Sequence, residues 1–198
     1  AGPSTMPERR LALAYEGVEG IGLYRTEIPY MAATHFPSPD SQAMLYRQVL
    51  QEAQGKRVVF RTLDIGSDKT VPYFRIPREE NPAMGWRGAR ISLDRPRMLL
   101  DQLCALIHAA QGAELSVMFP FVAQVQEVRA LKQLLLHELQ RIEEESGIAP
   151  DSVRVGVMLE IPSLLWQLPE LVKEVDFISI GSNDLLQFFF ACDRGSEA

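Results

Sequence analysis

The sequence has few cysteines, no excess of basic residues and no long apolar run, and each absence excludes a class of protein. Cys104 and Cys192 are too few for a disulfide framework and are not spaced as a metal site. With 20 Lys and Arg against 26 Asp and Glu, the net charge of −6 leaves no basic stripe for nucleic acid. No apolar run approaches the roughly 20 residues of a membrane span, and the N-terminus lacks a signal core. We therefore expect a cytoplasmic protein that binds neither nucleic acid nor a membrane.

The residues that are present predict one α/β domain. A hydrophobic content of 46% over 198 residues is enough to bury the core of a single domain. Short apolar runs alternate with segments of helical spacing, which is typical of a parallel sheet with crossover helices. The predicted strands are residues 21–24, 57–63, 115–119, 153–159 and 177–180. The predicted helices are residues 11–19, 41–53 with Ser41 as N-cap, 98–110, 124–146 and 164–175, and residues 71–82 are predicted to be an excursion above the strand ends.

Two acidic residues follow the last two predicted strands. A helix that joins parallel strands places their carboxyl ends on the same rim, so Glu160 and Asp184 should lie close together. Two carboxylates with the amide of Asn183 beside them form an oxygen set that could hold Mg²⁺ and leave positions open for substrate. The alternative is that Asp184 only caps a helix starting at Leu185 while Glu160 sits in a solvated turn.

Arginines follow the earlier strands. Arg25, Arg61 and Arg87 come from or just after these strands, and arginine forks match phosphate and carboxylate groups bidentately. In a closed barrel the same rim is where active sites are built. The pattern predicts a small, doubly anionic substrate bound through Mg²⁺. Alternatively, each arginine could pair with a nearby acid for structural reasons.

Five motifs in this order resemble the phosphoenolpyruvate (PEP)-binding barrel of the PEP-utilising enzymes. They are GIGLYRTE at residues 20–27, RTLDIG at 61–66, NP at 81–82 with GWRG at 85–88, GVMLEIP at 156–162 and GSNDL at 181–185. The family includes Enzyme I of the phosphotransferase system, PEP synthase and pyruvate phosphate dikinase. The DIGSDK loop at 64–69 and the DRG run at 193–195 are similar to Enzyme I. Gly88 and Ser182 favour its nitrogen-related paralogue.

The resemblance implies a TIM (β/α)8-type barrel in a single domain over residues 1–198. About five of the eight strands would be present, with the first strand and the last two missing. The residues that it assigns to substrate binding are Arg25, Arg61, Arg87, Asn183 and Arg194, of which the four arginines would also be catalytic. The residues that it assigns to Mg²⁺ are Glu160 and Asp184.

The resemblance also implies an activity, PEP–protein phosphotransfer. The phosphoryl group would pass from PEP to a histidine on an upstream domain and then to a histidine phosphocarrier protein, releasing pyruvate. None of His35, His108 and His137 matches the acceptor motif. The cysteine that protonates the enolate in this family belongs to the missing part, and Cys192 lies on the wrong segment. The parent protein is expected to be a homodimer.

The chain by itself is expected to be inactive and marginally stable. Five strands of a barrel leave two open edges, and opening it should expose interior side chains, namely Ile21, Leu23, Ile178 and Ile180. Two other functions remain open at this point. One is a non-catalytic PEP-sensing or dimerisation module derived from the barrel. The other is an enzyme of enolate chemistry on the same fold, either a relative of PEP synthase or pyruvate phosphate dikinase or a PEP-dependent aldolase or lyase.

Overall fold

The computed structural model describes residues 17–66, 79–81 and 83–193. The strands in these ranges are β1 Gly20–Arg25, β2 Arg57–Arg61, β3 Glu114–Phe119, β4 Ser152–Leu159 and β5 Phe177–Ile180. The helices are α1 Glu27–Ala32, α2 Pro39–Ala53, α3 Ala89–Asp94, α4 Pro96–Ala109, α5 Val125–Ser146, α6 Leu168–Leu171 and α7 Ser182–Phe190. A 3-10 helix, Pro162–Gln167, precedes α6. No helix among these residues is long and apolar enough to cross a membrane.

The five strands form one curled parallel sheet. Each strand pairs with the next one in the sequence, in the order β1-β2-β3-β4-β5, and every pair is parallel. Each crossover therefore advances the chain by one strand, and all the carboxyl ends lie on one rim. This half-barrel confirms the prediction of a parallel α/β fold that is an incomplete β/α barrel.

The sheet separates two apolar clusters of different size. Phe60, Val117 and Val157 belong to the large core between the sheet and the helices outside it. Met118 and Met158 belong, with Val59, to a small cluster on the inner face of the curl. Because side chains alternate along a strand, Arg61 lies on the same inner face as Val59, and its Nη1 is 3.7 Å from the Met158 sulfur. The inner face thus carries both apolar packing and Arg61, one of the predicted site arginines.

A β-bulge in β1 corrects the predicted orientation of one edge side chain, Ile21. Ile21 pairs with Val58 and Tyr24 pairs with Phe60, so three steps along β1 match two along β2. The extra residue reverses the alternation, and Ile21 packs against the helix-facing core while Leu23 joins the inner cluster. The prediction that Ile21 lines the interior is therefore wrong. Ile178 also packs on the helix-facing core, so it was wrongly assigned to the interior too.

Prolines set several helix boundaries that hydrophobic spacing alone misplaces. The N-cap of α2 is Ser38 and not Ser41, because Pro39 occupies the first helical position and the Ser38 hydroxyl accepts from the Ser41 backbone N–H at 3.3 Å. The helix predicted for residues 164–175 is a 3-10 turn followed by the four-residue α6. Pro162 begins the 3-10 turn and Pro169 is the second residue of α6. A proline is tolerated at the start of a helix but not inside a continuous one, where its missing N–H is needed.

Three other predictions concern segments between the strands. Helices α1 and α3 lie where no helix was predicted. Most of the predicted helix at residues 11–19 lies outside the described residues, and residues 17–19 are not helical. The predicted excursion at residues 71–82 also lies outside them, except for residues 79–81.

The β5 edge of the sheet is apolar and open to solvent among the described residues. Ile180 is 67% exposed, and Leu186, Phe189 and Phe190 of α7 are also exposed. An unpaired apolar strand edge is a template for association with another chain.

We expect the isolated 198-residue chain to self-associate and Ile180→Lys to shift it toward the monomer, because a lysine on an edge strand opposes strand pairing. Leu136→Lys on α5, where the leucine is 52% exposed, is the matched control and should leave association unchanged. Sedimentation velocity measures the outcome. A stable, cooperatively folding monomer of 22.3 kDa from the unmodified chain would contradict the argument.

Candidate active site

Four carboxylates and three arginines meet at the carboxyl rim of the sheet. The carboxylates are Glu27, Asp64, Glu160 and Asp184, and the arginines are Arg25, Arg61 and Arg87. Every one of them except Arg25 is buried. The structure thus brings together five of the seven predicted site residues. Asn183 is exposed beside Asp184, and Arg194 lies outside the described residues.

Glu27 holds the arginines of the first two strands. Its Oε1 accepts from Arg25 Nε at 2.8 Å and from Arg61 Nη2 at 2.5 Å. These arginines are paired residues of β1 and β2, so one carboxylate oxygen lies between two neighbouring strand ends. Glu27 is fully buried, and the two cations stabilise its charged form where water cannot.

Asp64 continues the same network to Arg87. The Arg87 Nε and Nη2 donate to the two Asp64 oxygens at 2.9 and 3.1 Å, which is a bidentate pair. Asp64 Oδ2 is also 3.1 Å from Arg61 Nη2. The same Arg87 Nη2 donates to Asp184 Oδ2 at 3.0 Å and so links the loop before α3 to the first turn of α7.

Glu160 is held by the main chain of the neighbouring strand end. Its Oε1 accepts from the Phe121 backbone N–H at 2.6 Å, and the residue is 1% exposed. Gly181 follows β5 beside it. A Cβ at Gly181 would lie 2.8 Å from Glu160 Oε2 and 2.8 Å from its Cβ, so only glycine allows this close approach.

The surroundings of Glu160 raise its pKa to about 7. Burial is the main cause, and the negative charges of Asp64 and Asp184 add to it. The Phe121 hydrogen bond and the positive charge of Arg61 act in the opposite direction and do not cancel these effects. Burial and two neighbouring negative charges therefore both disfavour the ionised form of Glu160, and burial has the larger effect.

These positions decide between the two interpretations of the acids. Asp184 is not a helix cap, because α7 begins at Ser182 and the Asp184 carboxylate pairs with Arg87. Glu160 is not in a solvated turn, because it is buried. All three arginines pair with acids, as the alternative interpretation of them as structural charges predicts. Arg61 Nε is nevertheless buried without a hydrogen-bond partner among the described residues, so this guanidinium retains an unused donor.

Sequence reasoning missed Glu27 and Asp64 as site residues. Both come shortly after strand ends, the same signal that identified Glu160, but the early strands were interpreted through their arginines alone. It also missed Gln102 of α4, which is buried behind them. The Gln102 amide donates to Thr26 Oγ1 at 3.0 Å and accepts from the Leu63 backbone N–H at 2.8 Å, and this joins the ends of β1 and β2.

A comparison with protein families shows which family this chain belongs to. Residues 4–198 match the family model described as PEP-utilising enzyme, PEP-binding domain. The chain belongs to this family.

Named relatives of the PEP-binding domain are bacterial. The chain is 47% identical to the phosphoenolpyruvate-protein phosphotransferase of Staphylococcus carnosus over 91% of this chain and 32% of the relative. It is 48% identical to the protein of the same name from Lactococcus lactis subsp. lactis, over 91% of this chain and 32% of the relative. A Salmonella typhimurium protein named phosphoenolpyruvate-dependent phosphotransferase system is 45% identical over 90% of this chain and 24% of the relative. The chain thus spans about a quarter to a third of these relatives, and the similarities do not distinguish the nitrogen-related branch.

This chain has no preformed cage of metal ligands in its described part. No three His, Cys, Asp or Glu side chains there are grouped so that they alone could hold a metal ion. Glu160 and Asp184 do act electrostatically on one another. Any cation at the rim would therefore have to be bound by few protein ligands, which is the usual manner for Mg²⁺ but not for a structural Zn²⁺.

We expect the Glu160 carboxyl group to titrate with a midpoint near pH 7. This titration can be followed by ¹³C NMR of labelled glutamate, and it should be absent from the Glu160→Gln variant. Glutamine keeps the acceptor for the Phe121 N–H and removes the charge. Because the folded state holds this proton more tightly than the unfolded chain, the free energy of unfolding should fall as the pH rises from 4.5 through 7.

The Glu160→Gln variant should lose that part of the pH dependence and should be the more stable protein above pH 7. Glu174→Gln is the control, because Arg129 lowers the pKa of this surface glutamate. A Glu160 midpoint at the ordinary value of 4.5 would contradict the buried surroundings and the neighbouring negative charges described for this carboxyl group.

Proposed function

We propose that this chain is the PEP-binding part of a PEP–protein phosphotransferase of the Enzyme I type. In this proposal PEP donates its phosphoryl group to a histidine on an upstream domain, which passes it to a histidine phosphocarrier protein, and pyruvate is released. The names of the relatives and the family membership support the substrate and the reaction class. A cytoplasmic location, a homodimeric parent and an inactive isolated chain are further parts of the proposal.

The observation that carries the proposal is the excess of buried negative charge at the rim. Four carboxylates face three guanidiniums there, so these seven groups have one net negative charge when all of them are ionised. Such a cluster repels an anionic substrate. One divalent cation reverses the sign of the net charge, after which an anion is attracted to the same place. The neighbouring charges of Asp64 and Asp184, which add to the raised pKa of Glu160, support a cation next to that carboxylate.

In this proposal Glu160 and Asp184 hold Mg²⁺. Both offer carboxylate oxygens, and two protein ligands leave coordination positions for water and substrate oxygens. When bound, Mg²⁺ supplies neutralisation of the charge on the transferring phosphoryl group. Asn183, which is exposed beside Asp184, is proposed to contact substrate oxygens.

The arginines are proposed to bind the phosphoryl and carboxylate groups of PEP. Arg25 uses Nε on Glu27 while its side chain remains 42% exposed, so the rest of its guanidinium can reach a ligand. Arg61 Nε has no hydrogen-bond partner in the described part of the chain and could donate to a ligand. Arg87 is oriented by two acids, and Arg194 has its proposed role from the family resemblance alone. These residues position the substrate and stabilise developing charge, which is most of what phosphoryl transfer requires of a protein.

Removing either proposed metal ligand should weaken Mg²⁺-dependent PEP binding to the full-length protein by more than about tenfold, or ~1.4 kcal/mol. The variants are Glu160→Gln and Asp184→Asn, and isothermal calorimetry with and without Mg²⁺ measures the effect. Asp151→Asn is the matched control, because Asp151 is exposed at the opposite end of β4. Unchanged metal dependence in both variants would refute the assignment of these ligands.

Arg61→Lys should slow PEP-dependent phosphotransfer by the full-length protein at least about tenfold, because lysine keeps the charge but loses the planar fork. Arg25→Lys should act in the same direction. Arg57→Lys is the control for Arg61→Lys, since Arg57 lies at the other end of the same strand in a surface pair with Glu114. Pyruvate release gives the rate. Near-normal rates for Arg61→Lys and Arg25→Lys would mean that these arginines serve only as structural charges.

A further inference from the structure

Phe121 adopts a backbone conformation that is unusual for its residue type. It follows β3 by two residues, has φ of 56° and is 1% exposed. A bulky residue at positive φ is disfavoured by contacts of its own Cβ, and it persists only where the surrounding structure enforces it. An apolar residue that merely fills the core has no need of this conformation, so the contacts that it creates are of interest.

The left-handed turn directs two parts of Phe121 toward different site residues. The backbone N–H donates to Glu160 Oε1 at 2.6 Å. The ring lies under Arg87, with the guanidinium carbon 4.6 Å from the ring centroid, and under Arg90, at 5.1 Å. A cation over the face of a buried aromatic ring is attracted to it, and the attraction is strongest where water is excluded. One residue therefore contacts both a proposed metal ligand and a proposed substrate arginine.

The neighbouring elements are adapted to this placement. A Cβ at Gly88, the residue after Arg87, would come within 2.7 Å of the Phe121 Cβ, so the loop that carries Arg87 can approach only because residue 88 is glycine. The Ala89 N–H donates to the Pro120 carbonyl at 3.2 Å and fixes the two segments together. The Phe188 ring of α7 meets the Phe121 ring edge-on, with centroids 6.0 Å apart.

We propose that Phe121 is a positioning residue that sets the affinity for the anionic substrate by holding Arg87 through its ring. Its main chain fixes Glu160 at the same time, so the distance between the two functional groups is set by one residue. The guanidinium carbon lies over the ring, and the same guanidinium donates to Asp64 and Asp184. This inference rests on the proposed binding of PEP at the rim.

The test replaces Phe121 in the full-length protein with mono-, di- and trifluorinated phenylalanines. Fluorine withdraws electron density from the ring face with little change of shape, and the backbone N–H to Glu160 remains. We expect PEP affinity at saturating Mg²⁺ to fall step by step, by roughly fivefold to thirtyfold in total, with an unchanged Mg²⁺ requirement. The matched control is the same series at Phe119, which is equally buried but belongs to the helix-facing core.

Two ordinary substitutions separate the ring from the backbone. Phe121→Leu keeps an apolar side chain and Phe121→Gly removes the disfavoured φ, and both keep the N–H. Each should lose PEP affinity to about the same extent as the most fluorinated ring, although the glycine variant has the less strained backbone. PEP binding at the wild-type level in either variant, or no trend along the fluorine series, would overturn the proposal.

A second readout distinguishes a failure of this inference from a failure of the proposed function. The Arg87 Nε–H should exchange faster with solvent along the fluorine series, because its hydrogen bond to Asp64 breaks more often when the ring holds the guanidinium less strongly. If the unmodified protein does not bind PEP but this exchange accelerates, the proposed function fails and the positioning role of Phe121 stands. If the unmodified protein binds PEP and neither affinity nor exchange responds to fluorine, the proposed function stands and the positioning role fails.

Discussion

The buried charges at the rim of this half-barrel must compensate one another, and the rest of the site depends on this constraint. The charges form one line of alternating sign, in the order Arg25, Glu27, Arg61, Asp64, Arg87 and Asp184. Charges removed from water are costly unless each finds a partner of good geometry, and here most members have a partner on either side. Because successive members come from β1, α1, β2, two loops and α7, the arrangement of these elements is coupled to the pairing.

The strands and the location of the site could be predicted from sequence because both follow from short-range rules. Runs of β-branched and apolar residues identified all five strands, and residues 177–180 were predicted with the bounds that β5 has. Parallel topology then places every strand end on one rim. This rule alone was enough to bring Glu160 near Asp184, which lie 24 residues apart in the sequence.

The remaining details depend on contacts that no local pattern encodes. The bulge in β1 changes the face of Ile21 because of its pairing with β2, and the alternation of β1 alone carries no sign of it. The roles of Glu27 and Asp64 depend on which arginines lie across the rim. Phe121 gives no sequence signal at all, since positive φ is expected of glycine and asparagine. The short helices after Glu160 could have been anticipated from Pro162 and Pro169, but helical spacing was given more weight.

The linear order of the rim charges makes the effect of a substitution depend on its place along the line. Arg25 is a terminus and is partly solvated, so its loss leaves Glu27 still paired with Arg61. Asp64 is an interior member, and its loss would leave two guanidiniums, those of Arg61 and Arg87, facing each other across a buried gap. Changes of charge are therefore tolerable at the outer end of this line, whereas interior positions can change sign only together with a neighbour.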